Sequence, residues 1–252
     1  PAITLKACDN LVDAIWSDQP DAPNADFTAY PDALAGATHS DKRQRLTAAH
    51  EAGATIITLP DSIAWLLNIR GTDIARNPVP HAFAILHHSG AVDLFASDGK
   101  ASAVAEHLGA DVRLRDDDLI AELAKLTGPV RIDPKSCPLK IADALKADVI
   151  HAPDPCILPK AIKNVTEIAG AREAHLRDGA AMVRFLAWLD ATAPQGGLTE
   201  IDVVKQLETY RRDTNQLRDI SFETICGAGP NGAIVHYRVS EQTNRPVNAG
   251  EL

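Results

Sequence analysis

The chain has 252 residues, of which 45% are hydrophobic and 23% are charged, a composition that is typical of a globular protein and excludes a coiled coil or a disordered chain. Its length exceeds the roughly 150 residues of one average domain, so it predicts two domains. The formal net charge of −9 and the lack of an apolar run near the ~18 residues of a membrane span argue against nucleic acids and membranes as partners.

The first 158 residues predict a linker followed by an α/β unit. Prolines and small polar residues over 9–40 show little periodicity and indicate extended chain. In chain order, the pattern then predicts a helix capped by Ser40 or Asp41 and ending at Gly53, a strand over 55–59, a helix capped by Asp61, a hairpin of strands 82–86 and 92–95, helices over 101–108, 118–126 and 139–147, and strands over 112–114, 130–132 and 149–150. Strands that alternate with helices indicate a mixed or mostly parallel sheet covered by helices.

Two helices are predicted next. Asn164, with Glu167 three residues later, has the pattern of a capping box, and helical spacing continues until Pro194. Thr199 is predicted to cap a second helix. Its inner face is expected to carry Ile201, Val204 and Leu207.

Beyond the helices, alternation predicts strands over 220–225 and 234–237 on either side of a turn-rich loop, 227–232. His236 follows this loop, where a side chain can point into a cleft. A single histidine in an apolar strand is more often a hydrogen-bonded core residue than a catalytic one, and spacing alone does not decide between the two.

Other candidates for chemistry are weak. The run Gly227-Ala228-Gly229 lacks the third glycine and the following helix of a dinucleotide-binding loop. His81, His87 and His88 are interpreted as polar hairpin residues rather than metal ligands. Cys226 is interpreted as a packed thiol, and the four cysteines are widely spaced without a CxxC pair, which predicts reduced thiols in a cytoplasmic protein.

Several ordered motifs do carry a resemblance. In the second half they are Lys163-Asn164, Glu167-Ile168, Gly170, Arg172 and Ala174-His175, then Gly196 to Glu200, then Phe222 followed by Gly229 to Tyr237. In the first half they are Asn10 to Asp13 with Ile15-Trp16, and Ile63 to Gly71 with Asn77-Pro78. Together they resemble the three-domain Xaa-Pro aminopeptidases (aminopeptidase P), which belong to the creatinase/prolidase group of "pita-bread" metallopeptidases, and the likeness covers nearly the whole chain.

The resemblance implies an α/β fold with two domains in this chain. Residues 41–158 would form a creatinase-N-like middle domain, a mixed sheet flanked by helices. Residues 159–252 would form the first part of a pita-bread α+β catalytic domain. Residues 1–40 would be the tail of a missing first domain and a linker, so the chain is expected to be truncated at both ends.

The resemblance also implies an activity: removal of the N-terminal residue from peptides with proline in second position, by two divalent metal ions, Mn²⁺ in type, bridged by hydroxide. The full-length protein would be a cytoplasmic homodimer. His236 matches the family's histidine that contacts substrate and assists proton movement. Phe222 matches an apolar wall of the proline pocket, although without the family it would be interpreted as core packing.

One departure limits the expectation. The family's metal ligands, two aspartates, a histidine and two glutamates, follow the position of His236, and the first is expected on a strand after residues 248–250, whereas this sequence ends at Leu252. These 252 residues alone are therefore expected to bind no metal and to be inactive. A metal-free pita-bread-like module that binds peptides or proteins stays open as an alternative. Prolidase or creatinase is weaker, because those relatives usually lack the first domain that residues 10–16 imply.

Overall fold

The computed structural model of the protein describes residues 3–252 apart from 5, 7, 50, 98 and 117. Two parts follow each other along the chain: a sheet unit, residues 28–161, and a helix-pair unit, residues 165–252. No helix among the described residues has the length and apolarity that crossing a bilayer requires.

Among the described residues, the sheet unit contains eight strands and seven α-helices, and one further α-helix precedes it. The strands are β1 (Thr28–Ala29), β2 (Ala54–Ile57), β3 (Ile69–Arg70), β4 (Phe83–His87), β5 (Val92–Phe95), β6 (Val112–Arg115), β7 (Val130–Ile132) and β8 (Val149–His151). The helices are α1 (Leu11–Ile15), which precedes the unit, α2 (Asp32–Ala35), α3 (His39–Thr47), α4 (Pro60–Leu67), α5 (Ala105–Leu108), α6 (Leu119–Leu123), α7 (Leu139–Ala144) and α8 (Ile157–Ala161).

Six of these strands form one mixed sheet in the order β6-β5-β4-β2-β7-β8. Strand β4 runs antiparallel to β2 and β5, and the other neighbours are parallel. The predicted hairpin is confirmed, with Leu86 opposite Val92. The predicted mixed sheet is confirmed as well, and β1 pairs with β3 in a separate antiparallel ribbon.

Helices cover both faces of this sheet, which is why every residue of β2 and β5 is buried. Neighbouring strand residues point to opposite faces, so Ile57 packs with helices α3, α4 and α5, whereas Ile56 packs with α6 and α7. Each fully buried aliphatic side chain contributes roughly 1.5–3 kcal/mol to folding. Two apolar clusters on one sheet therefore hold the unit together.

Several helix boundaries differ from the sequence prediction. Helix α3 is capped by Thr38, whose Oγ1 accepts from the Asp41 N–H at 3.0 Å, rather than by Ser40 or Asp41, and it ends at Thr47, short of Gly53. Helix α4 begins at Pro60 without a side-chain cap, because the fixed φ of proline suits the first helical position. The segment predicted as one helix over 101–108 is a 3₁₀ turn followed by α5.

A buried ion pair fixes the preceding chain to the sheet unit. Lys100 Nζ lies 2.6 Å from Asp73 Oδ2, and both side chains are almost fully buried. Asp73 also accepts from the Ala25 N–H at 3.0 Å, and Lys100 donates to the Pro23 carbonyl at 3.2 Å. Phe27 is buried beside them. The region predicted as a linker is therefore held against the sheet unit from residue 23 onward.

Replacing Lys100 tests whether its buried ion pair with Asp73 stabilises the fold. We expect Lys100→Met to lower the free energy of unfolding by about 3–5 kcal/mol, because Asp73 is left as a buried charge without its cation. Urea unfolding followed by circular dichroism measures the change. The control Lys140→Met, at an exposed position of α7, should stay within about 0.5 kcal/mol of the wild type. If Lys100→Met lowers the free energy of unfolding no more than this control does, the ion pair with Asp73 does not stabilise the fold.

A histidine pair links α3 to α5. The ring centroids of His39 and His107 are 5.3 Å apart, and His39 Nε2 donates to the His107 carbonyl at 3.2 Å. His39 Nδ1 is buried and has no hydrogen-bond partner among the described residues. Burial lowers the pKa of His39 below its ordinary value of 6.5, and the nearby Arg43 and His107 lower it further, against weaker opposing effects of the His107 hydrogen bond and Asp32. The fold therefore favours the neutral ring.

This lowered pKa predicts a pH dependence of stability. The unfolded chain binds more protons than the folded chain once the pH falls below 6.5, so stability present above that pH is lost on acidification toward the folded-state pKa. We expect the free energy of unfolding to fall more steeply for the wild type than for His39→Gln, measured by urea unfolding between about pH 7.5 and about pH 5.5. His88→Gln, at an exposed position, is the control and should retain the wild-type slope. Equal slopes for the wild type and His39→Gln would contradict the argument.

The helix-pair unit opens with α9 (Val165–Thr192). The predicted capping box is confirmed: the Asn164 side chain accepts from the Glu167 N–H at 3.0 Å, and Glu167 accepts from the Asn164 N–H at 2.9 Å. Asn164 Nδ2 also donates to the Ala35 carbonyl at 2.8 Å. One side chain therefore begins the long helix and joins it to the sheet unit.

The second helix, α10 (Glu200–Arg212), is capped by Thr199 as predicted. It packs on α9 through Val203 and Leu207, which contact the region of Phe185. The predicted inner face was wrong in part. Its buried residues are Glu200, Val203 and Leu207, whereas the expected Ile201 and Val204 are only partly buried, because the helix is rotated to bring its first residue inward.

The two strands predicted over 220–225 and 234–237 are absent: the first segment is irregular and the second is a turn. Strands need a neighbouring backbone for their hydrogen bonds, and none runs beside either segment among the described residues. Their apolar side chains are correspondingly exposed, with Phe222 61%, Ile225 55% and Val235 82% accessible. The alternating pattern is therefore present in sequence without the pairing that would make it a strand.

Candidate functional site

A buried carboxylate organises the candidate site. The side chain of Glu200 lies at the first turn of α10 and is fully buried. Its Oε1 accepts from the Ala228 N–H at 2.7 Å, and its Oε2 accepts from the Arg245 N–H at 3.3 Å. Both donors belong to the loop that follows the helix pair, so the loop folds back over the start of α10.

Two loop side chains complete this network. The Tyr237 hydroxyl donates to Glu200 Oε2 at 2.8 Å, and Asn231 Nδ2 donates to Glu200 Oε1 at 3.0 Å. Asn231 Nδ2 also lies 2.8 Å from the Tyr237 hydroxyl. The loop thus directs four donors at one carboxylate, which accepts roughly that number of hydrogen bonds.

These contacts set the protonation states of the groups. Burial alone would raise the pKa of Glu200, but the hydrogen bonds from Ala228, Tyr237, Asn231 and Arg245 lower it below its ordinary value. Burial raises the pKa of Tyr237, and the Glu200 carboxylate raises it further. The network is therefore an ionised carboxylate that holds a neutral phenol.

The network presents His236 at the protein surface. A 3₁₀ turn over Gly229–Ala233 leads into a second turn, in which the Tyr237 N–H donates to the Ile234 carbonyl at 3.2 Å. His236 has φ of 56°, in the left-handed region that costs an L-residue roughly 1–2 kcal/mol. Its side chain is exposed, whereas Tyr237 is buried. Such a backbone conformation persists only where its surroundings enforce it, and it is common at functional sites.

The segments that carry Phe222 and His236 are joined by an ion-pair bridge. Glu223 Oε2 lies 3.3 Å from the Arg238 guanidinium, and Glu223 Oε1 lies 3.0 Å from Arg76 of the sheet unit. The structure therefore brings the two predicted site segments together through their neighbours, and it adds a residue from the sheet unit. Both predicted side chains are exposed in the described chain.

Arg245 closes the loop from the other side. Its Nη1 donates to the Ala228 carbonyl at 2.5 Å, and its Nη2 lies 3.0 Å from Glu251. The guanidinium occupies the space where a Cβ on Gly229 would lie, and Gly229 has a positive φ of 52°. Only glycine at this position allows the arginine to pack directly on the loop backbone.

The Glu200 network and His236 do not form a metal site. Across the described part of the chain, no group of three or more His, Cys, Asp and Glu side chains is placed to hold a metal ion. The oxygens of Glu200 are already occupied by donors, and His236 stands alone on its turn. The described residues therefore do not fit a two-metal centre by themselves.

The other candidates have structural roles in this fold. His87 Nε2 lies 2.6 Å from Asp93, in an ion-pair network with Arg113 at the edge of the sheet. The four cysteines are free thiols. Burial raises the pKa of Cys226, and Glu200 raises it further, which opposes a role as a nucleophile.

Comparison with known proteins identifies the family. Residues 18–167 match the creatinase/prolidase N-terminal domain, and residues 169–252 match metallopeptidase family M24. The chain therefore belongs to the creatinase/prolidase family of proteins. The expected fold class, a creatinase-N-like α/β unit followed by part of a pita-bread domain, is confirmed.

Individual relatives are more specific. The chain is 37% identical over 259 residues to a probable Xaa-Pro aminopeptidase P of Coccidioides posadasii (strain C735). The alignment covers 94% of this chain and 39% of that protein. It superposes on the X-prolyl aminopeptidase of Caenorhabditis elegans, described as a cytosolic enzyme with a di-nuclear active site, with a TM-score of 0.84 and 27% identity, over 96% of this chain and 42% of that one. An Xaa-Pro dipeptidase from Bacillus anthracis shares the fold, with a TM-score of 0.61 and 18% identity over 85% of this chain and 59% of that one. The chain spans about two fifths of the length of the curated relatives it matches.

Sequence reasoning missed most of the network around His236. Glu200 stood in a recognised motif without a role, and Arg76, Glu223 and Arg245 were not singled out at all. The hydrogen bonds of Glu200 reach 28 to 45 residues along the chain, so no local spacing reveals them. The available signal was an acidic residue directly after the Thr199 cap, which is ordinarily interpreted as a favourable charge at a helix start.

Two glycines with positive φ test the packing of Arg245. Alanine at Gly250, where φ is 83° and a Cβ meets nothing within 4 Å, should cost only the backbone strain, about 1–2 kcal/mol. Alanine at Gly229 should cost about 1 kcal/mol more, because it also displaces the Arg245 guanidinium from its hydrogen bonds. Urea unfolding of the Gly229→Ala and Gly250→Ala variants measures the difference, and equal losses would show that the arginine does not depend on Gly229.

Proposed function

We propose that the natural-length protein, meaning the whole chain as the cell makes it, is an Xaa-Pro aminopeptidase. It would remove the N-terminal residue from peptides with proline in second position. The single observation that supports this most is 37% identity to a probable Xaa-Pro aminopeptidase P across 94% of the chain. The M24 match over residues 169–252 and the di-nuclear active site named for the Caenorhabditis elegans enzyme support a metallo-exopeptidase.

The proposed chemistry uses two divalent metal ions, Mn²⁺ as the first choice. They would supply an activated hydroxide and polarise the scissile carbonyl. Following the resemblance, in which the metal ligands come after the matching histidine, we place the ligand set after His236 in chain order. The 252 residues by themselves are accordingly proposed to be inactive.

Within the chain, His236 is proposed to contact the substrate and to assist proton transfer, and Phe222 to form an apolar wall for the proline ring. The position of both residues in motifs that resemble the family supports these roles, as does the left-handed backbone at His236. A ring face suits proline because a pyrrolidine amide offers no N–H for recognition. Neither residue is a metal ligand in this proposal.

The remaining organisation is proposed from the same resemblance. Residues 41–158 form the middle domain, residues 159–252 belong to the catalytic domain, and residues 1–40 connect to a preceding domain. The protein is proposed to be a cytoplasmic homodimer whose substrates are peptides rather than nucleic acids or membranes. The cytosolic description of the Caenorhabditis elegans enzyme and the net charge of −9 support this location and partner class.

Peptide cleavage tests the proposal. The natural-length protein with Mn²⁺ should release the first residue from an Arg-Pro-Pro peptide and not from Arg-Ala-Ala, and a chelator should abolish the release. His236→Gln should lower kcat by about 100-fold or more, since a positioned proton-transfer group contributes at least that much. Phe222→Ala should raise KM for the proline peptide.

The controls separate this function from its rival. His151→Gln, at an exposed position of the sheet unit, should leave kcat unchanged. A natural-length protein that binds the Arg-Pro-Pro peptide in calorimetry, yet cleaves nothing with Mn²⁺, Co²⁺ or Zn²⁺, would favour the metal-free binding module instead. Cleavage by a verified 252-residue chain would disprove the placement of the ligands outside it.

A further inference from the structure

We propose that Glu200 is a positioning residue for the reaction: its buried carboxylate holds the turn that presents His236 to the substrate. The inference rests on the proposed function, because it assigns a purpose to the orientation of His236. Glu200 is fully buried and cannot contact a substrate itself. Its effect must therefore pass through the groups that it binds.

The first step of the argument is the position of the donors along the loop. Ala228 and Asn231 precede His236, whereas Tyr237 and Arg245 follow it, and all four donate to the same carboxylate. A loop pinned before and after one residue has few alternative backbone conformations at that residue. Glu200 thus restricts the turn at both ends.

The second step concerns neighbouring side chains. Tyr237 is 6% exposed and its hydroxyl is bonded to Glu200, whereas His236, the preceding residue, is exposed. Fixing the phenol inward therefore fixes the imidazole outward. The left-handed φ of 56° at His236 costs conformational energy that the loop must offset, and the hydrogen bond from Tyr237 to Glu200 is made by the adjacent side chain.

The third step is that a charged acceptor is required. A glutamine at position 200 keeps one acceptor oxygen, and its NH₂ group faces at least one of the N–H or O–H donors. Two donors that face each other leave a buried polar group unsatisfied. The turn would then sample other conformations, although α10 retains its Thr199 cap and its packing on α9.

The experiment compares Glu200→Gln with a matched control on the same helix. Glu208→Gln alters a half-buried glutamate two turns further along α10, which accepts from Arg212 at 2.7 Å and, weakly, from the Thr224 hydroxyl at 3.4 Å, and which makes no hydrogen bond or ion pair with the loop over 228–237 among the described residues. In the natural-length protein with Mn²⁺, Glu200→Gln should lower kcat about tenfold or more while KM for the Arg-Pro-Pro peptide changes less than about threefold, since misplacement affects proton transfer more than binding. Glu208→Gln should keep both constants.

Hydrogen–deuterium exchange of the same proteins gives a readout that does not need activity. Peptides covering residues 228–237 should exchange about fivefold faster or more in Glu200→Gln, whereas peptides from α9 should not change. Tyr237→Phe removes one donor and leaves the carboxylate, so it should show a smaller loss of kcat and a smaller gain in exchange. If Glu200→Gln fails to fold, the kcat and the exchange rates of Tyr237→Phe decide whether the network positions His236.

The outcomes distinguish the two proposals. If the wild type cleaves the peptide and the kcat of Glu200→Gln equals that of Glu208→Gln, positioning by Glu200 is overturned and the proposed function stands. If the wild type cleaves nothing, the proposed function fails, and positioning is decided by exchange alone: unchanged protection of residues 228–237 in both Glu200→Gln and Tyr237→Phe overturns it.

Discussion

The buried carboxylate of Glu200 is the constraint on which the geometry of the helix-pair unit depends. A carboxylate taken out of water is costly unless hydrogen bonds replace its hydration, and four donors from the following loop do so. The loop that follows α10 is therefore restricted in conformation. The hydrogen bonds to this one carboxylate fix the 3₁₀ turn, Tyr237 and the segment around Arg245 together. Arg245 then packs on Gly229, where a side chain would exclude it.

Contacts over long sequence distances connect this unit to the sheet unit. Asn164 begins α9 and donates to the Ala35 carbonyl, and Arg76 meets Glu223 beside the predicted proline pocket. The two contacts differ in kind. The first is a half-buried hydrogen bond that sets the direction of a long helix, whereas the second is a partly exposed ion pair that contributes little stability but aligns two surface segments.

Local rules predicted the parts of the fold whose causes are local. The hairpin around Ser89-Gly90, the capping box at Asn164 and the cap at Thr199 each depend on residues within about four positions, so the sequence alone indicated them. The strand over 220–225 failed because alternation specifies a face and not a partner. For the site, the resemblance supplied His236 and Phe222. Glu200 and Arg76 make their contacts across the fold, and the one local signal at Glu200, an acidic residue directly after the Thr199 cap, is ordinarily interpreted as a favourable charge at a helix start.

The buried carboxylate and the exposed imidazole have different surroundings, which fits the different roles proposed for them. Every oxygen of Glu200 is occupied, and the lowered pKa of its carboxyl keeps it an acceptor for the loop rather than an acid for a substrate. His236, by contrast, extends from a strained turn with a free path to solvent. In the proposed site the buried Glu200 would keep the turn rigid without contacting the substrate, and the exposed His236 would contact it. In the proposed reaction, the orientation of His236 would therefore depend on a hydrogen-bond network that begins at the first turn of α10.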